Sequence, residues 1–252
     1  MHIMLFRYGI GRGHEVCIKN HSIIADRLSS YCNLSSIYVF NNHRFSPKEE
    51  LGTFELYQDD FWTERAKISV EKSKKFADVH NDNYQAMKNL FQQFEMLAVG
   101  HDLALSLEPN HIVFIRDDII INPDKLLSVI EKVTKFNKVW FSAFHGNNGY
   151  CERFGILPFD KVAMLNRFQY ISGYYDCLNS LRYVLRKGMN GEWLYRYIVD
   201  KTCTDFVCSY VLSRRVRNVH EVVNERMIPR PWHLNTEYKI FSGVKRYYFL
   251  GM

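Results

Sequence analysis

Short runs of apolar residues alternate with segments of mixed polarity along the whole chain. The run Ile112–Ile115 is an unbroken series of β-branched and aromatic residues, which is typical of a strand buried on both faces. Other predominantly apolar runs predict further strands. They lie at Ile3–Tyr8, Ser36–Phe40, Val139–Phe144 and Phe206–Leu212. The segment Leu51–Tyr57 fits either a short strand or a helix.

Apolar residues at helical spacing are clearest between Phe76 and Gly100. Asn81 or Asp82 is the expected N-cap, and Gly100 is the expected end of that helix. Further helices are predicted over roughly Asn20–Tyr31, Asp124–Val133, Pro158–Phe168 and Glu192–Val199. This alternation of strands and helices predicts an α/β fold, a mixed sheet flanked by helices.

Composition narrows the class of protein. The chain has 252 residues, of which 47% are hydrophobic, and it contains no linker-like tract, so we expect one domain over 1–252. No apolar run approaches the roughly 20 residues that span a bilayer. The six cysteines include no C-x-x-C pair, which favours reduced thiols in a cytoplasmic compartment. The net charge of +6 suits an anionic ligand, but charge alone does not distinguish a nucleotide, a nucleic acid and an acidic membrane surface.

A pair of acids follows the central apolar run. Arg116, Asp117 and Asp118 stand where the predicted strand ends, and ligands of open α/β sheets bind at that end of the strands. Adjacent carboxylates are costly to bury unless a cation or donor groups compensate them. One interpretation is a Mg²⁺ or Mn²⁺ site that receives a diphosphate, with Arg116 near the phosphates. The other is an ordinary turn, with its acids in water or paired with Arg116.

The glycine-rich stretch Gly9–His14 follows the first predicted strand. Its glycines allow close approach of a ligand to the backbone, and Arg12 could meet a phosphate. The spacing matches neither a dinucleotide-binding pattern nor a P-loop, so an ordinary strand-to-helix turn is the favoured interpretation and a phosphate contact the alternative.

The order of these elements resembles that of small GT-A-fold glycosyltransferases that use nucleotide sugars, found in bacterial surface-polysaccharide clusters and large DNA viruses. Three segments carry the resemblance: Asn81–Phe94 as the helix before the central strand, Ile112–Ile119 as the strand ending in acids, and Glu152–Val162 as an acidic-Arg-Phe segment before a helix. The chain departs from the family's Asp-x-Asp pattern because position 116 is arginine. The resemblance covers about residues 1 to 220.

The resemblance implies a donor half over 1–123 and an acceptor half with a tail over 124–252. It implies a metal ion, Mn²⁺ or Mg²⁺, that binds the two phosphates of a UDP- or GDP-linked sugar. Asp118 is the first expected ligand and Asp117 the second, with His220 or His233 as a histidine ligand from the C-terminal part. The further expected donor contacts are Arg12, Asn83, Lys88 and Arg116.

The resemblance also implies a glycan hydroxyl as acceptor and, for an inverting reaction, a general base. Glu152 holds the matching acidic position, and Asp160 is the reserve. The sequence leaves two other functions open. One is a nucleotidyltransferase or metal-dependent phosphohydrolase on a related fold. The other is a nucleic-acid-binding module, which no sequence motif supports. The basic, aromatic tail Lys239–Leu250 either packs on the body or contacts a membrane surface peripherally.

Overall fold

The computed structural model describes residues 1–9, 15–40, 53–56, 71, 78, 81–142, 153–164, 195, 206–209, 213–215 and 248–249. The helices of this part of the chain are α1 (Glu15–Tyr31), α2 (Gln85–Leu107), α3 (Pro123–Phe136) and α4 (Phe159–Met164). The strands are β1 (His2–Gly9), β2 (Asn33–Phe40), β3 (Thr53–Leu56), β4 (His111–Arg116), β5 (Ile119–Ile121), β6 (Val139–Ser142), β7 (Phe154–Pro158), β8 (Phe206–Ser209), β9 (Ser213–Arg215) and β10 (Tyr248–Phe249).

Eight of the described strands form one sheet in the order β10-β8-β6-β7-β4-β1-β2-β3. The strands are mutually parallel except β7, which runs antiparallel to both of its neighbours, β4 and β6. β5 and β9 form a separate antiparallel pair. The predicted fold class, a mixed α/β sheet flanked by helices, is confirmed.

The two faces of the sheet have separate hydrophobic layers, because alternate residues of a strand point to opposite faces. On one face Ile3 and Leu5 of β1 share a buried cluster with Ile24 of α1 and Ile130 of α3. On the other face the α2 backbone lies so close to β1 that a Cβ on Gly100 would stand 2.1 Å from the Phe6 ring. β1 and β4 are therefore covered on both sides, which the continuous apolar run of β4 predicted.

The longest helix differs from its prediction at both ends. α2 begins at Gln85 and continues through Gly100 to Leu107. Gly100 does not end the helix, because its missing side chain serves contact with Phe6 instead. The end comes at Glu108, which adopts a left-handed backbone conformation. Asp82 is outside the helix, but its carboxylate accepts the Ala86 N–H at 2.9 Å and so satisfies one donor of the first turn.

Smaller differences concern the ends of the other helices and strands. α1 begins at Glu15, ahead of the predicted start at Asn20. Pro158 is the last residue of β7, and the helix that it was expected to open begins at Phe159. The ambiguous segment around residue 54 is the strand β3. In the tail, Tyr248 and Phe249 form β10 and pair with β8, which favours packing of these two residues on the body. The rest of the predicted tail lies outside the described residues. Within the described residues, no helix combines the length and apolarity needed to cross a membrane.

Candidate functional site

The acidic pair lies at the point where the sheet reverses its strand order. From β1 the chain adds β2 and β3 on one side and later returns to place β4 on the other side. The Asp117 N–H donates to the Tyr8 carbonyl at 2.8 Å, so the pair stands over the carboxyl ends of both β1 and β4. This position in an open α/β sheet is where a ligand crevice forms.

Asp117 is held by the two strands on its β1 side. Only 4% of the residue is exposed, and it packs so closely on Gly9 that a Cβ there would lie 2.0 Å from its carboxyl carbon. The Tyr38 hydroxyl, from β2, donates to its Oδ2 at 3.3 Å. Burial, reinforced by the Asp117 charge, raises the pKa of Tyr38 well above its usual value. The phenol therefore keeps its proton and remains a donor.

Asp118 is paired with the arginine two residues before it. Arg116 donates from Nε to Oδ1 at 2.5 Å and from Nη2 to Oδ2 at 3.2 Å. The exposed fractions are 3% for Arg116 and 8% for Asp118, so this is a buried two-pronged ion pair. The ion-pair interpretation of the turn therefore holds for Asp118, while the burial of both acids excludes acids that simply sit in water.

A second buried arginine lies beneath the pair. Arg7 of β1 donates from Nη2 to the Ser36 hydroxyl at 2.6 Å, and its guanidinium stands 5.7 Å from the centre of the Tyr38 ring. Burial lowers the pKa of Arg7 to about 10, which leaves it charged at neutral pH. Among the described side chains of this cluster, the formal charges of Arg7 and Arg116 balance those of Asp117 and Asp118.

Helix α1 anchors the strand that follows the acids. The Asn20 amide donates to the Ile121 carbonyl and accepts the Ile121 N–H, both at 2.9 Å. His21 Nε2 lies 2.7 Å from the Ile119 carbonyl, which can only accept, so we assign the ring proton to Nε2. Burial, followed by the charge of Arg7, lowers the pKa of His21 to about 4. A neutral imidazole and an amide thus fix β5 immediately after Asp118.

Several predicted site residues lie outside the described residues. These are Glu152, Arg12, His220 and His233. The residue after Glu152 is described: the Arg153 carbonyl accepts the Arg116 N–H at 2.7 Å, so the chain at Arg153 reaches the acidic end of β4.

Asp160 occupies the other end of that strand. β7 runs antiparallel to β4, with Pro158 opposite His111, and Asp160 follows in α4. Its charge acts on His111, the first residue of β4. The length of β4 corresponds to about 17 Å at the usual rise per residue. The Asp160 side chain is half-exposed and forms an ion pair with Lys161 at 3.4 Å. The structure thus does not bring Asp160 together with the acids, and the reserve role gains no support.

The two expected donor contacts before β4 lie near the start of α2. Lys88 is half-buried in its first turn, and Asn83 is exposed with a left-handed φ of 54° before it. α2 runs antiparallel to β1, since Gly100 faces Phe6 and the chain after the helix meets His2 through Asn110. The start of α2 therefore lies on the same side of the sheet as the carboxyl ends of β1 and β4. The predicted role of Asn83 and Lys88 in donor binding requires them on that side.

The donor set at the acidic pair suits a hard divalent cation. The described residues contain no group of three or more His, Cys, Asp or Glu side chains placed to hold an ion. Asp117 and Asp118 offer carboxylate oxygens, and Mg²⁺ or Mn²⁺ is commonly held by one or two carboxylates together with substrate phosphates and water. The pair therefore fits a cation that shares its coordination shell with a phosphate ligand.

Sequence reasoning missed the residues that support the acids from behind. Arg7 interrupts the apolar run of the first strand, and a charge inside a central strand was the available signal. Tyr38 and His21 carried no such signal, because each fits an ordinary apolar or helical position. Asn20 gave none either, because its partner Ile121 is distant in the chain.

Comparison with known proteins yields structural neighbours of low similarity. No protein-family model matches the chain, and no curated protein matches it. The crystal structure of mouse xyloside xylosyltransferase 1 in its apo form is 13% identical, with a TM-score of 0.42 over 80% of this chain and 82% of that one. A glycosyltransferase involved in the glycosylation of the major capsid of PBCV-1 is 8% identical, with a TM-score of 0.42 over 83% of this chain and 82% of that one. At this level the similarity carries no argument about function.

Proposed function

We propose that the chain is a glycosyltransferase that moves a sugar from a UDP- or GDP-linked donor to a glycan hydroxyl with the help of Mn²⁺ or Mg²⁺. The observation that carries this proposal is the buried acidic pair at the strand-order reversal, with an arginine on one acid. Buried charges at such a crevice suit a charged ligand better than they suit stability, because burying an ion pair seldom stabilises a fold.

Each residue of the pair has a distinct part in this proposal. Asp118 is the first cation ligand, and Asp117 is the second, oriented by the Tyr38 hydroxyl and by close contact with Gly9. Arg116 pairs with donor phosphate oxygens, which a guanidinium binds in the same two-pronged way as a carboxylate. A bound divalent cation would supply Lewis-acid stabilisation of the departing nucleoside diphosphate.

The proposed general base is Glu152. Support comes from its neighbour Arg153, whose carbonyl is bound to the Arg116 N–H at the acidic end of β4. A base for the acceptor hydroxyl has to act near the sugar, and the sugar is attached to the diphosphate. Asp160, at the amino end of β4, does not meet that requirement.

Donor hydrolysis tests the proposal. The purified chain is incubated with a panel of UDP- and GDP-sugars and Mn²⁺, and release of the nucleoside diphosphate is measured. We expect Asp118→Asn to lower release by roughly a hundredfold or more, since a ligand and its charge are lost. The matched control is Asp26→Asn, the same change at an exposed position of α1, which should leave the rate unchanged.

The products of the same assay separate the proposal from its alternatives. Release of pyrophosphate or inorganic phosphate would identify a nucleotidyltransferase or a phosphohydrolase instead. Equal rates for the wild type and Asp118→Asn would remove the acidic pair from the chemistry and contradict the site.

A further inference from the structure

The cation proposed for the acidic pair meets a competitor that belongs to the chain itself. The two prongs of Arg116 bind the two carboxylate oxygens of Asp118, at 2.5 and 3.2 Å. This inference concerns the proposed donor site and rests on the proposed function. A divalent ion can bind Asp118 only after Arg116 has released its oxygens.

The charges around the pair oppose a cation that arrives alone. Among the buried charged side chains that the structure describes, Arg7 and Arg116 already balance Asp117 and Asp118. His21, which interacts electrostatically with both Arg7 and Asp118, is neutral and adds no charge. Adding a dication to a buried cluster of zero net charge leaves uncompensated positive charge where water does not screen it well.

A diphosphate removes both obstacles. Its negative charge compensates the dication, and its oxygens offer the Arg116 guanidinium a new two-pronged partner in place of Asp118. Asp118 is then released to the cation. The cation and the nucleotide would each strengthen the binding of the other, because coupling between two ligands is reciprocal.

We propose that Arg116 is an internal competitor for Asp118, so that this site binds a divalent cation well only together with a nucleoside diphosphate. Arg116 is then a positioning residue that couples the two ligands, as well as a phosphate contact. Removing any positive charge beside the ion raises the affinity for a cation to some extent. Only a competitor for Asp118 also makes that gain depend on the Asp118 carboxylate and makes cation binding depend on the nucleotide.

The test measures Mn²⁺ binding directly, without any catalytic readout. The unbound ion is quantified by its electron paramagnetic resonance signal during titration of the protein. In the wild type we expect weak binding of Mn²⁺ alone and roughly tenfold or tighter binding with saturating UDP or GDP, after correction for Mn²⁺ bound by the nucleotide in solution. Equal affinity with and without both nucleotides would overturn the proposal.

Substitution of the competitor gives the opposite signature. Arg116→Gln should raise the affinity for Mn²⁺ alone by roughly tenfold or more, because the guanidinium no longer occupies the two Asp118 oxygens and a unit of positive charge leaves the neighbourhood of the ion. The matched control is Arg27→Gln, which removes the same charge from the exposed Arg27–Asp124 ion pair and should change nothing. The double variant Arg116→Gln with Asp118→Asn should lose the gain in Mn²⁺ affinity, which would show that the gain depends on the Asp118 carboxylate. An Arg116→Gln affinity equal to that of Arg27→Gln would contradict the competition.

Folding and function are controlled separately. If Arg116→Gln does not fold, Arg116→Lys keeps the charge without the fork and should show an intermediate gain, while no gain would overturn the proposal. A donor panel that yields no product alongside a clear gain in Arg116→Gln would reject the glycosyltransferase and leave the competition standing. Donor turnover by the wild type, with no gain in Mn²⁺ affinity in Arg116→Gln, would support the glycosyltransferase and reject the competition.

Discussion

The two ends of the central strands β1 and β4 are held by different kinds of interaction. We call them the amino edge and the carboxyl edge of the sheet. At the amino edge, Asn110 joins three segments: its N–H donates to the His2 carbonyl at 2.8 Å, its Oδ1 accepts the His2 N–H at 2.7 Å, and its carbonyl accepts the Phe159 N–H at 3.0 Å. At the carboxyl edge, the Arg116–Asp118 ion pair is buried beside Asp117.

We infer from this difference that the amino end of the strands serves the fold and that the carboxyl end is the proposed ligand site. Neutral hydrogen bonds close the amino edge without burying charge, which shows that the architecture does not require ions to end its strands. Buried ion pairs cost desolvation and are often no better than apolar packing. The carboxyl edge keeps them, and we infer that its charges are retained for binding.

The largest effect is expected from breaking the buried ion pair. Asp118→Ala leaves Arg116 charged and buried without its carboxylate, which should lower the free energy of unfolding by about 3–5 kcal/mol. The comparison is Asp124→Ala, which breaks the exposed ion pair with Arg27 and should cost at most about 1 kcal/mol. Urea unfolding measures both. Similar losses in the two variants would show that the Arg116–Asp118 pair is no more than a surface contact.

Acid should weaken the fold through His21. Its pKa is about 4 in the folded chain and 6.5 ordinarily, so the unfolded chain binds the proton more readily. The stability is complete above about pH 6.5 and is lost as the pH falls toward 4, by up to roughly 3 kcal/mol for this group. His111, whose pKa is also lowered by burial, contributes in the same direction.

His21→Gln isolates that contribution, because glutamine retains an amide donor and does not titrate. Its unfolding free energy, measured between about pH 7.5 and pH 4.5, should depend less steeply on pH than that of the wild type. Identical pH profiles would mean that His21 is not a buried neutral histidine.

The two close-packed glycines separate binding from folding. Gly9→Ala directs a methyl group against Asp117, and Gly100→Ala directs one against Phe6. Each should destabilise the fold by about 1–3 kcal/mol through overpacking. Only Gly9→Ala should also weaken the binding of a nucleoside diphosphate with Mn²⁺, which calorimetry measures. Equal weakening in both variants would argue that packing alone, and not the position of Asp117, controls binding.

The smallest effect is expected from Tyr38→Phe, which removes one hydroxyl from beside Asp117. The loss of a hydrogen bond of 3.3 Å should cost about 0.5–1.5 kcal/mol of stability. Tyr31→Phe is the control, since Tyr31 is exposed at the end of α1. Thermal unfolding resolves the difference, and indistinguishable curves would remove Tyr38 from the support of Asp117.

Local pattern was sufficient to predict the central elements. β1, β4 and α3 follow from their apolar patterns. The position of Asp117 and Asp118 at the end of a buried strand was predicted as well, but the sequence left open whether they are buried or lie in water, and the structure shows them buried. The end of α2 was predicted wrongly because a glycine within a helix can serve a close tertiary contact, here with Phe6, as well as a terminus.

Contacts distant in the chain were not predictable. The bonds from Asn20 and His21 to β5 and from Tyr38 to Asp117 each join residues that only the folded topology brings together. The roles of Glu152, Arg12 and His220 stay predictions, as do the single domain and the identity of the metal and the donor.

A crystal structure of the chain with Mn²⁺ and UDP or GDP would test the central claim most directly. We expect an anomalous manganese peak bound to the Asp118 carboxylate and to diphosphate oxygens, with Arg116 turned from Asp118 to phosphate. A nucleotide and ion bound away from the carboxyl ends of β1 and β4, with the Arg116–Asp118 pair intact, would contradict it.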